Sequence, residues 1–271
     1  MARVLRQDRR VAQVAKIQLS PAAPSLVAGV GMALRGLKVA LASPEVRRVY
    51  LQLAGALVLT SLVLAAGLGW LVWRFFPVPE DMSSLRELLT WGLRIAGMIL
   101  ATLAAPLLAL FVVNIVFPFL GERVFMAGLR VVDPARADEL MAAEGLGFST
   151  SVLGSVRRLV YFVGVTLLVF ALTLVPLLGT LLGPFAQLWF TARMLSWELL
   201  DPYFERRGLV YAEQRALLRQ QRATMFGFGT PYTLLLALPI VGPLGFGLAQ
   251  AAAALLVSES LEPRDAENRV G

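Results

Sequence analysis

The chain alternates long apolar runs with short polar segments, and the length of each run indicates what it can form. Residues 49–73 and 95–121 contain no charged side chain, and each run is long enough for one helix that crosses a bilayer. Residues 159–192 and 223–258 are also free of charge, but each of them is interrupted near its middle. A soluble domain would not contain four such runs, so the pattern predicts an integral membrane protein built from helices.

The two interruptions share the signal Pro-x-x-Gly, which occurs at Pro176 and Gly179 in the third run and at Pro239 and Gly242 in the fourth. Proline lacks a backbone donor and glycine commonly ends a helix, so each run divides into two arms. Arms of about 9 to 17 residues are too short to cross the hydrocarbon core. The sequence therefore predicts an all-α membrane protein with two full transmembrane helices, two re-entrant (half-penetrating) helical hairpins and cytoplasmic amphipathic helices.

Paired broken helices are typical of transport sites, since the ends of half-helices present unpaired backbone groups and dipoles. Both breaks are therefore candidates for a pathway, together with three polar residues inside the apolar runs: Asn114, Gln187 and Gln250. For Asn114, a hydrogen bond to another helix is the stronger interpretation. Gln187 and Gln250 lie on the descending arms, where they would either line a shared cavity or satisfy backbone groups freed by the breaks.

Basic residues are distributed unevenly along the chain, whose net charge is +7. Residues 1–48 are strongly basic, whereas the segment between the first two runs has equal numbers of acidic and basic residues, so the N-terminus is expected in the cytoplasm. Residues 193–222 contain more arginines than acids, and a re-entrant hairpin before them keeps them on the cytoplasmic side too. The sequence thus predicts a protein of the bacterial inner (plasma) membrane with both termini in the cytoplasm.

Three arginines within this last segment, Arg215, Arg219 and Arg222, lie three or four residues apart and so share one face of a predicted helix. One interpretation is a surface that faces solvent or lipid headgroups. The other is a basic vestibule that attracts anions. The sequence leaves both interpretations open.

The domain organisation is simple. Residues 1–24 are expected to form a flexible basic leader, residues 25–258 one membrane domain, and residues 259–271 a polar C-terminal tail. No cleaved signal peptide is expected, because no apolar segment directly follows the first basic residues. Residues 26–41 have a helical pattern that fits either an amphipathic helix on the cytoplasmic membrane surface or a helix packed on the protein itself.

Several chemistries require residue types that the chain lacks. It contains neither cysteine nor histidine, which excludes disulfides, thiol chemistry, structural zinc and imidazole catalysis. No two acidic residues fall within one apolar run, so we expect neither an enzyme nor a cofactor or metal. No basic patch alternates with aromatic residues, so nucleic acid is not an expected partner. The expected partners are the lipid bilayer, a small anion and further copies of the chain.

Short motifs between residues 28 and 258 point to a family. The strongest stretch runs from a Trp-Glu-Leu-Leu-Asp-Pro segment that begins at Trp197, through an Arg-x-x-Leu-Arg segment that ends at Arg219, to a Phe-Gly-Phe-Gly segment that begins at Phe226. The order and spacing of these motifs resemble those of the CysZ-type sulfate permeases and the etoposide-induced 2.4-like membrane proteins. Further matches are Pro118-Phe119 with Glu122, Arg35-Gly36-Leu37-Lys38, Ser43-Pro44 and Arg47-Arg48.

The resemblance implies two transmembrane helices, two half-penetrating hairpins, a homo-oligomer and the passage of sulfate. It also implies that the anion binds at the loop before the first crossing, where Arg47 and Arg48 match the family's arginines. The alternative interpretation of the two arginines is topological, since a membrane boundary on the cytoplasmic side requires cations. Glu45 departs from the family pattern, which commonly has glycine there, and a carboxylate would repel a dianion. The alternative function is a non-transporting membrane scaffold of the same family.

Overall fold

The computed structural model describes residue 23 and residues 25–77, 84–116, 118–175 and 178–262. All regular structure in these ranges is helical, which confirms the predicted class. The helices are α1 (Leu26–Ala42), α2 (Pro44–Phe75), α3 (Ser84–Val116), α4 (Pro118–Val132), α5 (Pro134–Ala142), α6 (Phe148–Thr173), α7 (Leu178–Leu199), α8 (Asp201–Arg206), α9 (Tyr211–Gln220), α10 (Arg222–Leu236), α11 (Val241–Leu256) and a π-helix (Val257–Leu261).

Polar caps and prolines set several helix starts. The Ser25 hydroxyl accepts a hydrogen bond from the Ala28 N–H at 3.5 Å, and the Ser43 hydroxyl accepts one from the Val46 N–H at 3.3 Å. Each cap satisfies one of the N–H groups that a helix start leaves without an internal partner. Pro44 follows the second cap in the first turn of α2, where its missing N–H costs nothing.

Helices α2 and α3 pack against each other as an antiparallel pair. At their joined end, a Cβ on Gly97 would lie 3.0 Å from the Val72 side chain, and one on Gly69 would lie 3.5 Å from Met98. Most outward side chains of the pair are apolar and exposed. Apolar surface of this extent is stable in lipid and not in water, so the pair is built for a bilayer.

Four helical segments of the described residues are long and apolar enough to cross a membrane: Pro44–Phe75, Leu85–Asn114, Ser149–Thr173 and Val241–Leu261. The protein is therefore an integral membrane protein. The fourth segment differs from the others, because 78% of its most apolar stretch is buried inside the protein.

The chain turns at both predicted breaks. Helices α6 and α7 form the first hairpin and α10 and α11 form the second. A Cβ on Gly179 would lie 2.5 Å from the Leu172 carbonyl oxygen, and one on Gly242 would lie 2.6 Å from that of Leu236. Both glycines therefore let the returning arm pass close to the arm before it. Pro239 lies in the second turn, whereas Pro176 lies outside the described residues.

The second hairpin lies at the centre of the fold. Almost every residue of the alanine- and glycine-rich α11 is buried, and α11 packs against α1, α4 and α10. Helix α1 lies across the hairpin with its small residues Gly29 and Gly36 against Thr224 and Ala252. The Tyr232 hydroxyl donates to a carbonyl of α1 at 2.8 Å. Helix α1 is thus packed on the second hairpin, while apolar side chains on its outer side, such as Val27 and Leu34, stay exposed.

Candidate functional site

The start of α2 presents two arginines beside a helix N-terminus. Arg47 and Arg48 follow the Ser43 cap, and both side chains are exposed. Among the described residues no carboxylate or other acceptor bonds to either guanidinium. Two free guanidinium groups near the positive end of a helix dipole offer hydrogen-bond donors that suit an oxyanion.

Glu45, near the two arginines, has a basic partner. Its carboxylate lies 3.4 Å from the Arg130 guanidinium of α4, and both side chains are about half exposed. An exposed pair of this kind contributes little to stability, but the second charge offsets part of the repulsion that Glu45 exerts on an anion. The departure from the family pattern is therefore accompanied by a compensating cation that the sequence analysis did not identify.

The three polar residues of the apolar runs lie in separate surroundings. The Asn114 amide donates to the Leu110 carbonyl of its own helix at 2.9 Å, so the predicted bond between helices is wrong for this donor. Gln187 donates to Thr191 on α7 at 3.1 Å. No hydrogen bond in the described part of the chain joins Gln187 to Gln250.

Gln250 is the most deeply placed of these polar groups. It is 5% exposed, and its Oε1 has no hydrogen-bond partner among the described residues. The amide lies flat against Gly121 of α4, where an added Cβ would come within 2.8 Å of both amide heavy atoms. A buried carbonyl without a donor is costly, so a water molecule that donates to it would be stabilising at this position.

The basic face predicted on α9 has an additional member. Arg215, Arg219 and Arg222 are exposed, but α9 ends at Gln220 and Arg222 begins α10, so the prediction that one helix carries all three is wrong. Arg193, at the end of the apolar arm of α7, lies near Arg219 and Arg222, and burial together with their positive charges lowers its pKa. The sequence signal for Arg193 was available, because it is the first charge after residues 159–192.

Two ion pairs join helices near the ends of the hairpins. Asp201 lies 2.5 Å from the Arg158 guanidinium, and Glu122 pairs with Arg206. Each pair joins two helices that are not consecutive in the chain. Glu205 lies beside the first pair, and burial raises its pKa, with the Asp201 charge acting in the same direction.

A buried cluster of ion pairs follows α11, and no pattern in the sequence predicted it. Glu262, 5% exposed, lies 2.6 Å from Arg136 and 2.5 Å from Arg207, and it accepts a hydrogen bond from the Tyr203 hydroxyl at 3.0 Å. The start of the predicted polar tail thus anchors α11 to α5 and α8. The partners of Glu262 come from distant parts of the chain, which periodicity alone does not connect.

A family model described as "Sulfate transporter CysZ/Etoposide-induced protein 2.4" matches residues 32–245. The chain belongs to this family. A relative named "Sulfate transporter CysZ" from Vibrio parahaemolyticus serotype O3:K6 is 30% identical over 233 residues, which are 79% of this chain and 87% of the relative. Another of the same name, from Vibrio cholerae serotype O1, is 35% identical over 85 residues, 31% of this chain. That second match spans only 34% of the relative's length.

The motifs that resemble those of the CysZ family have clear structural roles in this chain. Trp197 donates to the Gln214 amide oxygen at 2.8 Å, and the ring lies over Tyr211 at 5.3 Å. In the Phe-Gly-Phe-Gly segment, Gly227 meets the backbone of α1 at Leu26, and Gly229 meets that of α7 at Ala192. The family motifs therefore join α1, α7, α9 and α10 into one unit.

Proposed function

We propose that the protein is an inner-membrane permease that passes sulfate or a related small anion, with both termini in the cytoplasm. Its membership of the CysZ family supports this function, as do the names of the two relatives. The observation that carries the proposal is the arginine pair, Arg47 and Arg48, which is exposed at a capped helix start without an acceptor among the described residues. The protein performs no covalent step in this account.

The arginine pair would bind the anion before it enters the membrane. A guanidinium offers two parallel donors that match two oxygens of a tetrahedral oxyanion. In the first turn of α2, Pro44 has no N–H and the Val46 N–H bonds to the Ser43 hydroxyl, so the helix start adds the Glu45 N–H and the positive end of its dipole at the same place. Exposure to water weakens each contact, which suits a site that must release its ligand as well as bind it.

The two hairpins would line the route, with Gly179, Pro239 and Gly242 at the turns and Pro176 as a further candidate. Helix α10 has 15 residues, or about 22 Å of helix, against a hydrocarbon core of about 30 Å. Helix α11 and the π-helix that continues it are longer, but most of that segment is buried inside the protein. In α6 the apolar arm begins only after Arg158. Arms of this length favour turns that lie within the membrane. Gln187, Gln250 and Asn114 are the polar side chains available along such a route.

Further copies of the chain would complete the pathway. Both hairpin turns expose large apolar side chains, with Leu174 70%, Leu238 51% and Ile240 57% exposed. Irregular backbone at membrane depth is stable where protein or a water-filled cavity covers its polar groups. A homo-oligomer whose hairpins meet would supply this cover.

Sulfate flux into proteoliposomes separates the permease from the alternative, a membrane scaffold. Vesicles that contain the purified protein are expected to take up radiolabelled sulfate faster than empty vesicles, and unlabelled sulfate should compete while chloride at equal ionic strength should not. Uptake equal to that of empty vesicles, from protein that is folded and inserted, would favour the scaffold.

A further inference from the structure

Four arginines lie where the ends of the two hairpins meet, and we call them the arginine cluster: Arg193, Arg215, Arg219 and Arg222. Arg193 ends the apolar arm of α7 and Arg222 begins α10, which packs on α7. No carboxylate among the described residues pairs with any of the four. Elsewhere in the fold, arginines such as Arg158, Arg206 and Arg207 do have acidic partners. The cluster thus holds positive charge that the chain itself does not neutralise.

Aromatic rings surround the cluster. The Arg193 guanidinium carbon lies 5.5 Å from the ring centroid of Trp189, and that ring lies 4.5 Å from Phe226. The Arg215 guanidinium lies 5.4 Å from the ring of Tyr161. Tryptophan and tyrosine are enriched at the level of lipid headgroups, because their rings are apolar with one polar edge. The rings therefore place the cluster at a membrane interface.

Exposed apolar side chains continue from the cluster towards the first hairpin turn. On α7, Phe185 is 74% exposed and Leu182 is 53% exposed. On α6, Val160 is 66% exposed and Leu159 is 56% exposed. An amphiphile with an anionic head and two hydrocarbon tails fits the arginine cluster and the adjacent apolar surface better than an ion does.

We propose that the arginine cluster binds the phosphate of an anionic glycerophospholipid, whose acyl chains lie along the exposed apolar side chains of α6 and α7. In a bilayer, acyl chains already cover the exposed apolar side chains of α6 and α7, so an anionic lipid can bring its phosphate to the arginines from a position that lipid occupies in any case. Such a lipid would hold the two hairpins together at their cytoplasmic ends. This favours the headgroup interpretation of the basic face over the vestibule.

Quenching of tryptophan fluorescence by brominated lipids tests this site directly, because Trp189 lies within it. Detergent micelles would contain the protein with either brominated phosphatidylglycerol or brominated phosphatidylcholine, and a Trp189→Phe variant would isolate the contribution of this ring. Phosphatidylglycerol is expected to quench Trp189 at much lower concentration. Replacing Arg193, Arg219 and Arg222 by glutamine should weaken the apparent affinity for phosphatidylglycerol by about fivefold for each arginine removed.

A matched variant removes the same charge elsewhere. Arg74, Arg86 and Arg123 have no acidic partner among the described residues, so their triple glutamine variant should keep the preference for phosphatidylglycerol. Size-exclusion profiles confirm that each variant is folded. Equal quenching by the two lipids would overturn the proposal. Displacement of phosphatidylglycerol by millimolar sulfate would overturn it too, by showing that the cluster is a site for a free anion.

Discussion

Replacing Arg47 and Arg48 together by alanine will reduce sulfate uptake at low sulfate concentration by about tenfold or more, because each charge-assisted hydrogen bond contributes about 1.5–3 kcal/mol and exposure lowers that figure. Initial rates of radiolabelled sulfate uptake into proteoliposomes measure the effect. Higher sulfate concentrations should restore part of the lost rate, since the arginines act in capture.

Two further variants make this prediction specific. Arg74→Ala removes an arginine from the opposite end of the same helix, so it should leave uptake unchanged. The double Arg→Lys variant keeps both charges but loses the planar fork, and its rate should lie between those of the alanine variant and the wild-type protein. Wild-type uptake by the double alanine variant would remove the anion-capture role from this site.

Gly229→Ala and Gly227→Ala will each destabilise the protein by about 2–3 kcal/mol, since overpacking a filled interior forces backbone to move. A Cβ on Gly229 would overlap the Ala192 carbonyl of α7, and one on Gly227 would overlap the Leu26 carbonyl of α1. Neither neighbour is a flexible side chain that could turn away. The thermal midpoint in detergent should fall by about 5–10 °C.

Gly164→Ala is the control for this pair of substitutions. Gly164 lies within α6, and nothing lies within 4 Å of the position of an added Cβ. Alanine has a higher helix propensity than glycine, so this variant should be as stable as the wild-type protein or slightly more so. Equal midpoints for Gly229→Ala and Gly164→Ala would show that α10 does not pack on α7 as described.

The helices were predictable because their signals are local. Charge-free runs showed where the long helices lie, and a Pro-x-x-Gly signal predicted each turn. In the structure, Gly179 and Gly242 are glycines for a reason that the sequence only suggested: the returning arm passes within van der Waals distance of the backbone before the turn.

The site residues were less predictable, because their partners are distant in the chain. Arg130 beside Glu45, and Arg136 and Arg207 around Glu262, come from helices whose packing no periodicity encodes. The Asn114 amide was expected to bond to another helix, but it donates to the Leu110 carbonyl of its own helix. Local patterns thus identify elements, and contacts between them require the structure.

Accessibility of single cysteines in intact cells tests most directly whether the hairpins turn inside the membrane. The chain has no native cysteine, so each introduced thiol reports alone. With an impermeant thiol reagent outside, Glu87→Cys should react, whereas Gln220→Cys should react only after the cytoplasmic side is opened. Leu174→Cys and Leu238→Cys, at the two turns, should stay unlabelled from outside. Labelling of either turn in intact cells would show that its hairpin crosses the whole bilayer, and the proposed architecture would be contradicted.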